Sequence, residues 1–292
     1  MTNSSIVGRF APSPTGFLHA GSLVAAMASY LDARARAGTW LVRIEDIDAP
    51  RTVPGSEQDI LATLAAFGFV WPEPVLRQSE RSGAYEAAFE RLRAIGMAYP
   101  CGCTRREIEA VASAPAEDAP VAAVYPGTCR DGLAPGRVAR AWRVRTTDDD
   151  IAVDDRAGGR FVQRLARDVG DFVVKRADGI WAYQLAAVVD DAEQGVTDVV
   201  RGADLLDSTP RQRWLQTLLG LPHPRTLHVP LVLDRHGEKL AKQNDAKPLD
   251  RTDPLPALHA AARHLGLTVD ATTIEAFWPA AIDAWRRRWG LA

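Results

Sequence analysis

The stretch RFAPSPTGFLHAGS, residues 9–22, decides the fold class of this chain. Residues 6–10 predict a short buried strand, and the two prolines and the glycine that follow predict a turn. From Leu23 to Leu31 apolar residues recur at helical spacing, and Gly38 marks the end of that helix. WLVRIEDID (40–48) begins as a second strand and ends acidic. This segment therefore predicts a strand–helix–strand unit with parallel strands.

The rest of the chain continues the alternation of strands and helices. Helices are predicted near 57–67, 81–95, 181–195 and 209–220, and strands at 171–176, 197–202 and 227–234. In the helix near 209–220, Thr209 is the expected N-cap, Pro210 the first residue and Gly220 the end. We expect an α/β fold built on a Rossmann-like doubly wound parallel sheet. The expected division is 1–98 for its first half, 99–140 for an insertion, 141–235 for its second half and 236–292 for a charged loop and a helical tail.

The composition is that of an ordinary globular protein. The chain has 292 residues, a formal net charge of -2 and three cysteines. The N-terminal residues lack a signal-peptide pattern and no long apolar run predicts a membrane span, so we expect a cytoplasmic protein without membrane contact. The odd number of cysteines also argues for a reducing compartment. Nothing in the sequence indicates a dimer seam, so a monomer is expected.

The turn after the first strand has the features of a ligand site. Ligands bind at the carboxyl ends of strands in open α/β sheets, and a helix N-terminus suits phosphate. Neither a P-loop nor a G-x-G-x-x-G motif is present. His19 and Gly21 occupy the start of the helix instead, where an imidazole can bind phosphate and a glycine leaves room for a flat base. A charged loop at 239–243, KLAKQ, carries two lysines that can neutralise a leaving pyrophosphate.

These two stretches resemble the HIGH and KMSKS signatures of class I aminoacyl-tRNA synthetases. GRFAPSPTGFLHAG, VRIEDIDAPR, EKLAKQN and the long stretch 183–212 resemble the glutamyl branch in order and spacing. The short segment after Lys242 and the central cysteines are similar to glutamyl-queuosine tRNA(Asp) synthetases in particular. The resemblance implies activation of glutamate by ATP without tRNA, followed by transfer to the queuosine base at the wobble position of tRNA-Asp. One departure is Ala241, where the family usually has serine.

The resemblance also implies residue roles. Glutamate has two carboxylates and one ammonium, so its site should hold arginines and an acid. His19 and Lys242 are expected at the phosphates of ATP, Gly21 under its adenine, Lys239 as an assisting group, and Mg²⁺ on the phosphates. Asp46 and Asp48 are expected to brace their loop by pairing with Arg43 or Arg51. The residues expected to contact glutamate are Arg9, Phe10, Ala11, Pro12, Ser13, Glu45, Tyr183 and Arg201.

The three cysteines predict a metal site. Cys101, Cys103 and Cys129 supply three thiolates, and a structural zinc site needs four ligands. Candidates for the fourth ligand are Tyr125, Glu107, Asp118 and Asp131. Three reduced cysteines packed as small apolar groups are the alternative. The related enzymes share a Cys-x-Cys and Tyr-x₃-Cys arrangement, and this resemblance implies a structural zinc ion held by Tyr125 as well. Thr104 and Glu107 also predict a capping box for a short helix.

Three other functions stay open at this stage. A conventional glutamyl-tRNA synthetase would charge a tRNA 3′ end, and a small-molecule ligase would keep the histidine and lysine signatures. A non-catalytic RNA-binding paralogue is the third, and Ala241 is the feature that favours it. For an RNA partner, the three arginines between Trp285 and Trp289 are a candidate contact, although an amphipathic closing helix with inward tryptophans is the favoured interpretation.

Overall fold

The computed structural model describes residues 5–112, 124–240 and 246–291. The strands are β1 Val7–Phe10, β2 Thr39–Ile44, β3 Leu76–Arg77, β4 Ala98–Cys101, β5 Ala141–Val144, β6 Asp150–Asp155, β7 Gly159–Arg164, β8 Phe172–Lys175, β9 Asp198–Gly202 and β10 Arg225–Val229. The helices are α1 Ala20–Arg34, α2 Ser56–Ala66, α3 Ser82–Ala94, α4 Arg105–Ala112, α5 Leu165–Asp168, α6 Tyr183–Glu193, α7 Ser208–Leu219, α8 Leu255–His264 and α9 Ile274–Trp289.

The main sheet is largely parallel, as the alternation of strands and helices predicts. Within the described ranges its strand order is β3-β2-β1-β9-β10-β6-β7. In this order, β3, β2, β1, β9, β10 and β6 each run parallel to the next strand, and only β7 is antiparallel to its neighbour β6. The β6–β7 hairpin is absent from the sequence-based prediction. The carboxyl ends of β1, β2, β9 and β10 consequently meet at one edge of the sheet.

Three predicted boundaries are wrong. The first helix, expected to end at Gly38, already ends at Arg34, and Ala35 is its C-cap residue. The strand expected at 227–234 ends at Val229, since Pro230 follows and cannot donate to the ladder. The helix expected to start after Thr209 begins at Ser208, with Asp207 at the N-cap position. Thr209 therefore lies inside the first turn and its hydroxyl accepts a hydrogen bond from Arg201 at 2.9 Å. The end of this helix at Gly220, which has a left-handed backbone at φ 63°, is confirmed.

A smaller antiparallel sheet carries the cysteine region. Its strand order is β4-β5-β8, and Cys101 is the last residue of β4. The short helix α4 follows, and its predicted capping box is confirmed. The backbone N–H of Thr104 donates to the Glu107 carboxylate at 2.8 Å, and the N–H of Glu107 donates to the Thr104 hydroxyl at 3.2 Å.

Apolar side chains form two large cores, one against the main sheet and one against the smaller sheet. One core packs α1, α8 and α9 against the sheet around Trp40, and a second packs α3, α6 and α7 around Tyr85. Trp285 is 1% exposed and its indole N–H donates to Asp32 at 3.2 Å, so this tryptophan packs inward as the favoured interpretation expects. Among the described residues, the helices are all too short or too polar to cross a membrane.

Candidate active site

A cavity of about 560 Å³ opens at the carboxyl ends of the parallel strands. Its wall includes predicted site residues from four separate segments of the chain: Arg9, Phe10, Ala11, Ser13, His19, Gly21, Glu45, Tyr183, Arg201 and Lys239. Pro12 does not line it. Pro12 is buried, and its carbonyl accepts the backbone N–H of Glu45 at 3.0 Å, which ties the turn after β1 to the end of β2.

His19 caps the helix that points into this cavity. It is the N-cap residue of α1, with extended backbone, and its Nδ1 accepts the backbone N–H of Gly21 at 3.2 Å. A Cβ at position 21 would lie only 3.1 Å from the imidazole Cε1, so the absence of a side chain at Gly21 avoids a tight contact with the ring. The imidazole is therefore fixed at the positive end of the helix, where a phosphate is stabilised.

A chain of alternating charges lies beside the cavity. The guanidinium of Arg9 donates to Asp191 of α6 through Nε at 3.0 Å, and Arg43 donates to the same carboxylate at 2.8 Å. Arg43 also donates to Glu45 at 3.2 Å. Arg9 and Glu45 line the cavity, whereas Asp191 and Arg43 do not. Asp191 and Arg43, which lie behind the cavity wall, therefore hold Arg9 and Glu45 in place.

Burial and pairing act in opposite directions on the carboxylates of this chain. For Glu45, loss of hydration raises the pKa above its usual range, in spite of the attraction of Arg43 and Arg9. For Asp191, burial also disfavours the charge, but the two arginines outweigh it and lower the pKa. The Asp191 carboxylate is the more firmly ionised of the two.

Arg201 is held in a second network at the end of β9. Its Nη1 donates to the Tyr183 hydroxyl at 3.2 Å and its Nε donates to Nε2 of His228 at 3.1 Å. Because Arg201 can only donate, Nε2 is the acceptor and Nδ1 carries the ring proton, which it donates to Asp155 at 2.6 Å. Burial disfavours the charge on Asp155, but hydrogen bonds from His228 and the Gly158 N–H lower its pKa overall.

The charged loop is described as far as Leu240. Lys239 forms an ion pair with Asp204, next to the cavity. Ala241, Lys242 and Gln243 lie outside the described residues, so the expected role of Lys242 stays a prediction.

The acidic pair after β2 braces its loop in part as expected. Asp48 pairs with Arg51 at 3.1 Å and with Arg176 at 2.7 Å. Asp46 instead accepts hydrogen bonds from Ser79, at 2.8 Å from its backbone N–H.

The cysteines converge at the end of β4, outside the cavity. The sulfurs of Cys101, Cys103 and Cys129 lie within 4.8 Å of one another, and this cluster can hold a metal ion. The Tyr125 hydroxyl lies 3.4 Å from the sulfur of Cys101 and 3.9 Å from that of Cys103. The Arg143 guanidinium stacks 3.8 Å from the centre of the Tyr125 ring and donates to Cys101 at 3.4 Å. Asp118, another candidate ligand, lies outside the described residues.

The surroundings of the cluster shift the pKa values of Cys101 and Cys103 in opposite directions. At Cys101, burial disfavours the thiolate, but hydrogen bonds from Tyr125 and Arg143 lower the pKa overall. At Cys103, burial and the neighbouring sulfurs raise the pKa to about 11. Burial and the hydrogen bond to Cys101 raise the pKa of Tyr125. These directions apply to the cluster without a cation, which would favour the deprotonated form of each group.

Comparison with known proteins identifies the family. The family model "tRNA synthetases class I (E and Q), catalytic domain" matches residues 5–270. A glutamyl-Q tRNA(Asp) synthetase from Burkholderia cenocepacia is 61% identical over 295 residues, which cover 99% of this chain and 98% of the relative. One from Ralstonia nicotianae is 58% identical and covers 96% of this chain and 91% of the relative. The chain belongs to the glutamyl-Q tRNA(Asp) synthetase family.

Solved structures of longer synthetases share the fold. A glutamate tRNA ligase from Elizabethkingia meningosepticum, solved with its amino acid, is 31% identical with a TM-score of 0.70 and covers 83% of this chain and 52% of its own. The glutamate-tRNA synthetase of Elizabethkingia anophelis has a TM-score of 0.77 at 27% identity, over 95% of this chain and 65% of its own. As a member of the glutamyl-Q tRNA(Asp) synthetase family, the chain is a ligase with the class I synthetase fold.

Several residues of this family member's site are absent from the sequence-based prediction. The structure adds Asp191 and Gln78 around the first charge network, and His228 with Asp155 around the second. The expected pairing of Arg43 with Asp46 or Asp48 is wrong, because Arg43 is buried and pairs with Asp191 and Glu45. The adjacent acids Asp190 and Asp191 directly follow the apolar run 185–189 in α6 and are the one local signal, because charged side chains next to a buried stretch need a partner.

Proposed function

We propose that this ligase activates glutamate with ATP, without tRNA, and then transfers it to the queuosine base at the wobble position of tRNA-Asp. The observation that carries the proposal is that one cavity holds Arg9, Glu45 and Arg201 beside the capped N-terminus of α1. Two arginines and one acid match the charges of glutamate, and the helix terminus matches a phosphate. The relatives are named glutamyl-Q tRNA(Asp) synthetases, which agrees with glutamate and this tRNA as substrates.

The residues have complementary roles in the activation step. The arginines orient the carboxylates of glutamate, and Glu45 pairs with its ammonium. One oxygen of the α-carboxylate attacks the α-phosphorus of ATP, the bond between the α-phosphorus and its bridging oxygen breaks, and pyrophosphate leaves with the electron pair. His19 donates to the phosphates, and Lys239 and Lys242 neutralise the charge on pyrophosphate, together with Mg²⁺ that arrives with ATP. Gly21 leaves room for the adenine.

The cysteine cluster fits a structural zinc ion. In a tetrahedral site with Zn–S bonds of about 2.3 Å, sulfur atoms lie about 3.8 Å apart. The separation of Cys103 and Cys129 sulfurs is 3.5 Å, and the Tyr125 hydroxyl is at a comparable distance from Cys101. We therefore propose Cys101, Cys103, Cys129 and Tyr125 as the four ligands. Four protein ligands leave no open position, so the ion would hold the cysteine region together and take no part in the reaction.

Pyrophosphate exchange tests the activation step. Purified enzyme with glutamate and labelled pyrophosphate should form labelled ATP without any RNA. Lys242→Ala and His19→Ala should each slow exchange by orders of magnitude, and circular dichroism should show an intact fold. Exchange that requires tRNA would overturn the tRNA-independent step.

Aminoacylation tests the acceptor. Queuosine-containing tRNA-Asp should accept labelled glutamate, and the same tRNA without queuosine should not. Charging of tRNA-Glu alone would establish a conventional glutamyl-tRNA synthetase instead. Light scattering during gel filtration should give the mass of one chain, 31.7 kDa, if the enzyme acts as a monomer.

A further inference from the structure

Gln78 is a buried amide with one unused hydrogen-bonding atom. It is 1% exposed and contributes to the wall of the cavity. Its Nε2 donates to Asp190 at 2.8 Å. Its Oε1 is buried and has no hydrogen-bond partner among the described residues. A buried carbonyl oxygen without a donor is costly, and the place of Gln78 in the cavity wall makes a bound ligand the natural source of a donor.

The orientation of this amide is fixed by its neighbours. Asp190 also accepts hydrogen bonds from the Tyr85 hydroxyl at 2.9 Å and from Nε of Arg81 at 2.6 Å. A carboxylate surrounded by donors offers only acceptor oxygens, so the NH₂ group of Gln78 must face Asp190. The carbonyl oxygen of Gln78 therefore points away from Asp190 and receives no hydrogen bond from the described residues.

The strand register places Gln78 beside Glu45. Strands β2 and β3 are parallel, with Ile44 opposite Arg77. Glu45 and Gln78 are the next residues on each chain, at the carboxyl ends of neighbouring strands about 4.8 Å apart. Both side chains line the cavity. One corner of the cavity thus presents an anionic acceptor and a neutral acceptor together.

We propose that Oε1 of Gln78 accepts a hydrogen bond from the α-ammonium of bound glutamate, beside the carboxylate of Glu45. A primary ammonium has three donors and no acceptor, which matches two converging acceptors, one of them charged. Gln78 would then favour amino acids over dicarboxylates that lack the amino group. This inference rests on the proposed use of glutamate as substrate.

The test compares glutamate with glutarate, which has the same carboxylates without the ammonium. The KM for glutamate and the inhibition constant of glutarate are measured by pyrophosphate exchange for the wild type and Gln78→Met. Methionine keeps the shape and removes both the acceptor and the donor to Asp190, which keeps its hydrogen bonds from Tyr85 and Arg81. The KM for glutamate should rise about tenfold or more, as expected for a hydrogen bond to a charged group. The glutarate constant and the KM for ATP should change less than about twofold.

Controls separate this role from a structural one. Gln212→Met alters another buried glutamine, which lies on α7 away from the cavity wall, and should leave all three constants unchanged. If Gln78→Met does not fold, Gln78→Asn withdraws the same amide by one methylene and should give the same selective loss. Equal weakening of glutamate and glutarate, or no change in either, would overturn the inference. If the wild type neither binds glutamate in calorimetry nor supports exchange, the proposed function itself fails.

Discussion

Asp191→Asn is the substitution with the largest expected effect outside the cavity wall. The Asp191 carboxylate accepts from Arg9 at 3.0 Å and from Arg43 at 2.8 Å, and all three side chains are nearly or fully buried. Arg43 keeps Glu45 as an anionic partner, whereas Asp191 is the anion hydrogen-bonded to Arg9. Removal of one partner from a buried ion pair costs about 3–5 kcal/mol, because a charge stays buried without compensation. This is a large share of a typical folding free energy of about 5–15 kcal/mol.

Urea unfolding followed by circular dichroism measures this cost. The midpoint for Asp191→Asn should fall without a change in slope, and the loss should reach about 3–5 kcal/mol. Glu90→Gln is the matched control, because it removes an exposed pair with Arg93 and should cost less than about 1 kcal/mol. A loss for Asp191→Asn no larger than that of the control would refute the assignment of Asp191 as the anchor of Arg9.

The pH dependence of the same measurement gives a second check. The folded-state pKa of Asp191 lies below its unfolded value of about 3.9. Its stabilising contribution is therefore fully present above the unfolded pKa and is lost as the pH falls through the folded pKa. The difference in unfolding free energy between wild type and Asp191→Asn should be constant from pH 8 to about 5 and should shrink below about pH 4. A difference that grows on acidification would contradict this reasoning.

Three further predictions concern the two networks and the metal site. His228→Phe removes the acceptor for Arg201 and should raise the KM for glutamate about tenfold with little change in the KM for ATP, and His228→Gln should recover part of the loss in the same exchange assay. Burial raises the pKa of Glu45, so this carboxylate is protonated at a higher pH than an ordinary glutamate side chain. The KM for glutamate should therefore rise on acidification at a pH above the usual pKa range of glutamate, and Glu45→Gln should abolish this pH dependence. Metal analysis should find one zinc per wild-type chain and almost none in Cys103→Ser. The exchange activity of Cys103→Ser should stay within about threefold of the wild type, because the cluster lies outside the cavity. An equal zinc content in the two proteins would exclude Cys103 as a ligand.

Local sequence signals predicted the elements that carry the site. The turn after β1, the start of α1 at His19 and the end of α7 at Gly220 depend on residues within a few positions of one another. Periodicity and turn residues encode such features directly. The capping box of Thr104 and Glu107 was predicted for the same reason.

The β6–β7 hairpin was missed although its turn was visible. Gly158 and Gly159 stand between two short segments, and Gly159 has a left-handed backbone at φ 72°. The segments carry many charges because they form the outer end of the sheet, so their apolar alternation is weak. The hairpin matters for the site, because Asp155 at the end of β6 supports His228.

The buried charges could not be predicted from sequence spacing. Asp191 meets Arg9 from 182 residues away and Arg43 from 148 residues away. A charged side chain in isolation predicts a solvated surface, and only the fold shows which charges share a buried partner. The same applies to Gln78, whose amide orientation depends on Asp190, 112 residues further along the chain.

The source of each charge explains how one cavity can hold both a cation and an anion before substrate arrives. Arg9 takes its anionic partner from α6, and Glu45 takes its cationic partner from its own strand. If these two side chains were paired with each other instead, glutamate would have to separate an ion pair before it could bind. With separate partners on the protein side, both charges stay in position toward the cavity, and little reorganisation is needed on binding. Each of the four buried charges has an oppositely charged neighbour, and this pairing offsets the cost of their burial. The cavity therefore stays ready for a ligand that carries both positive and negative charges.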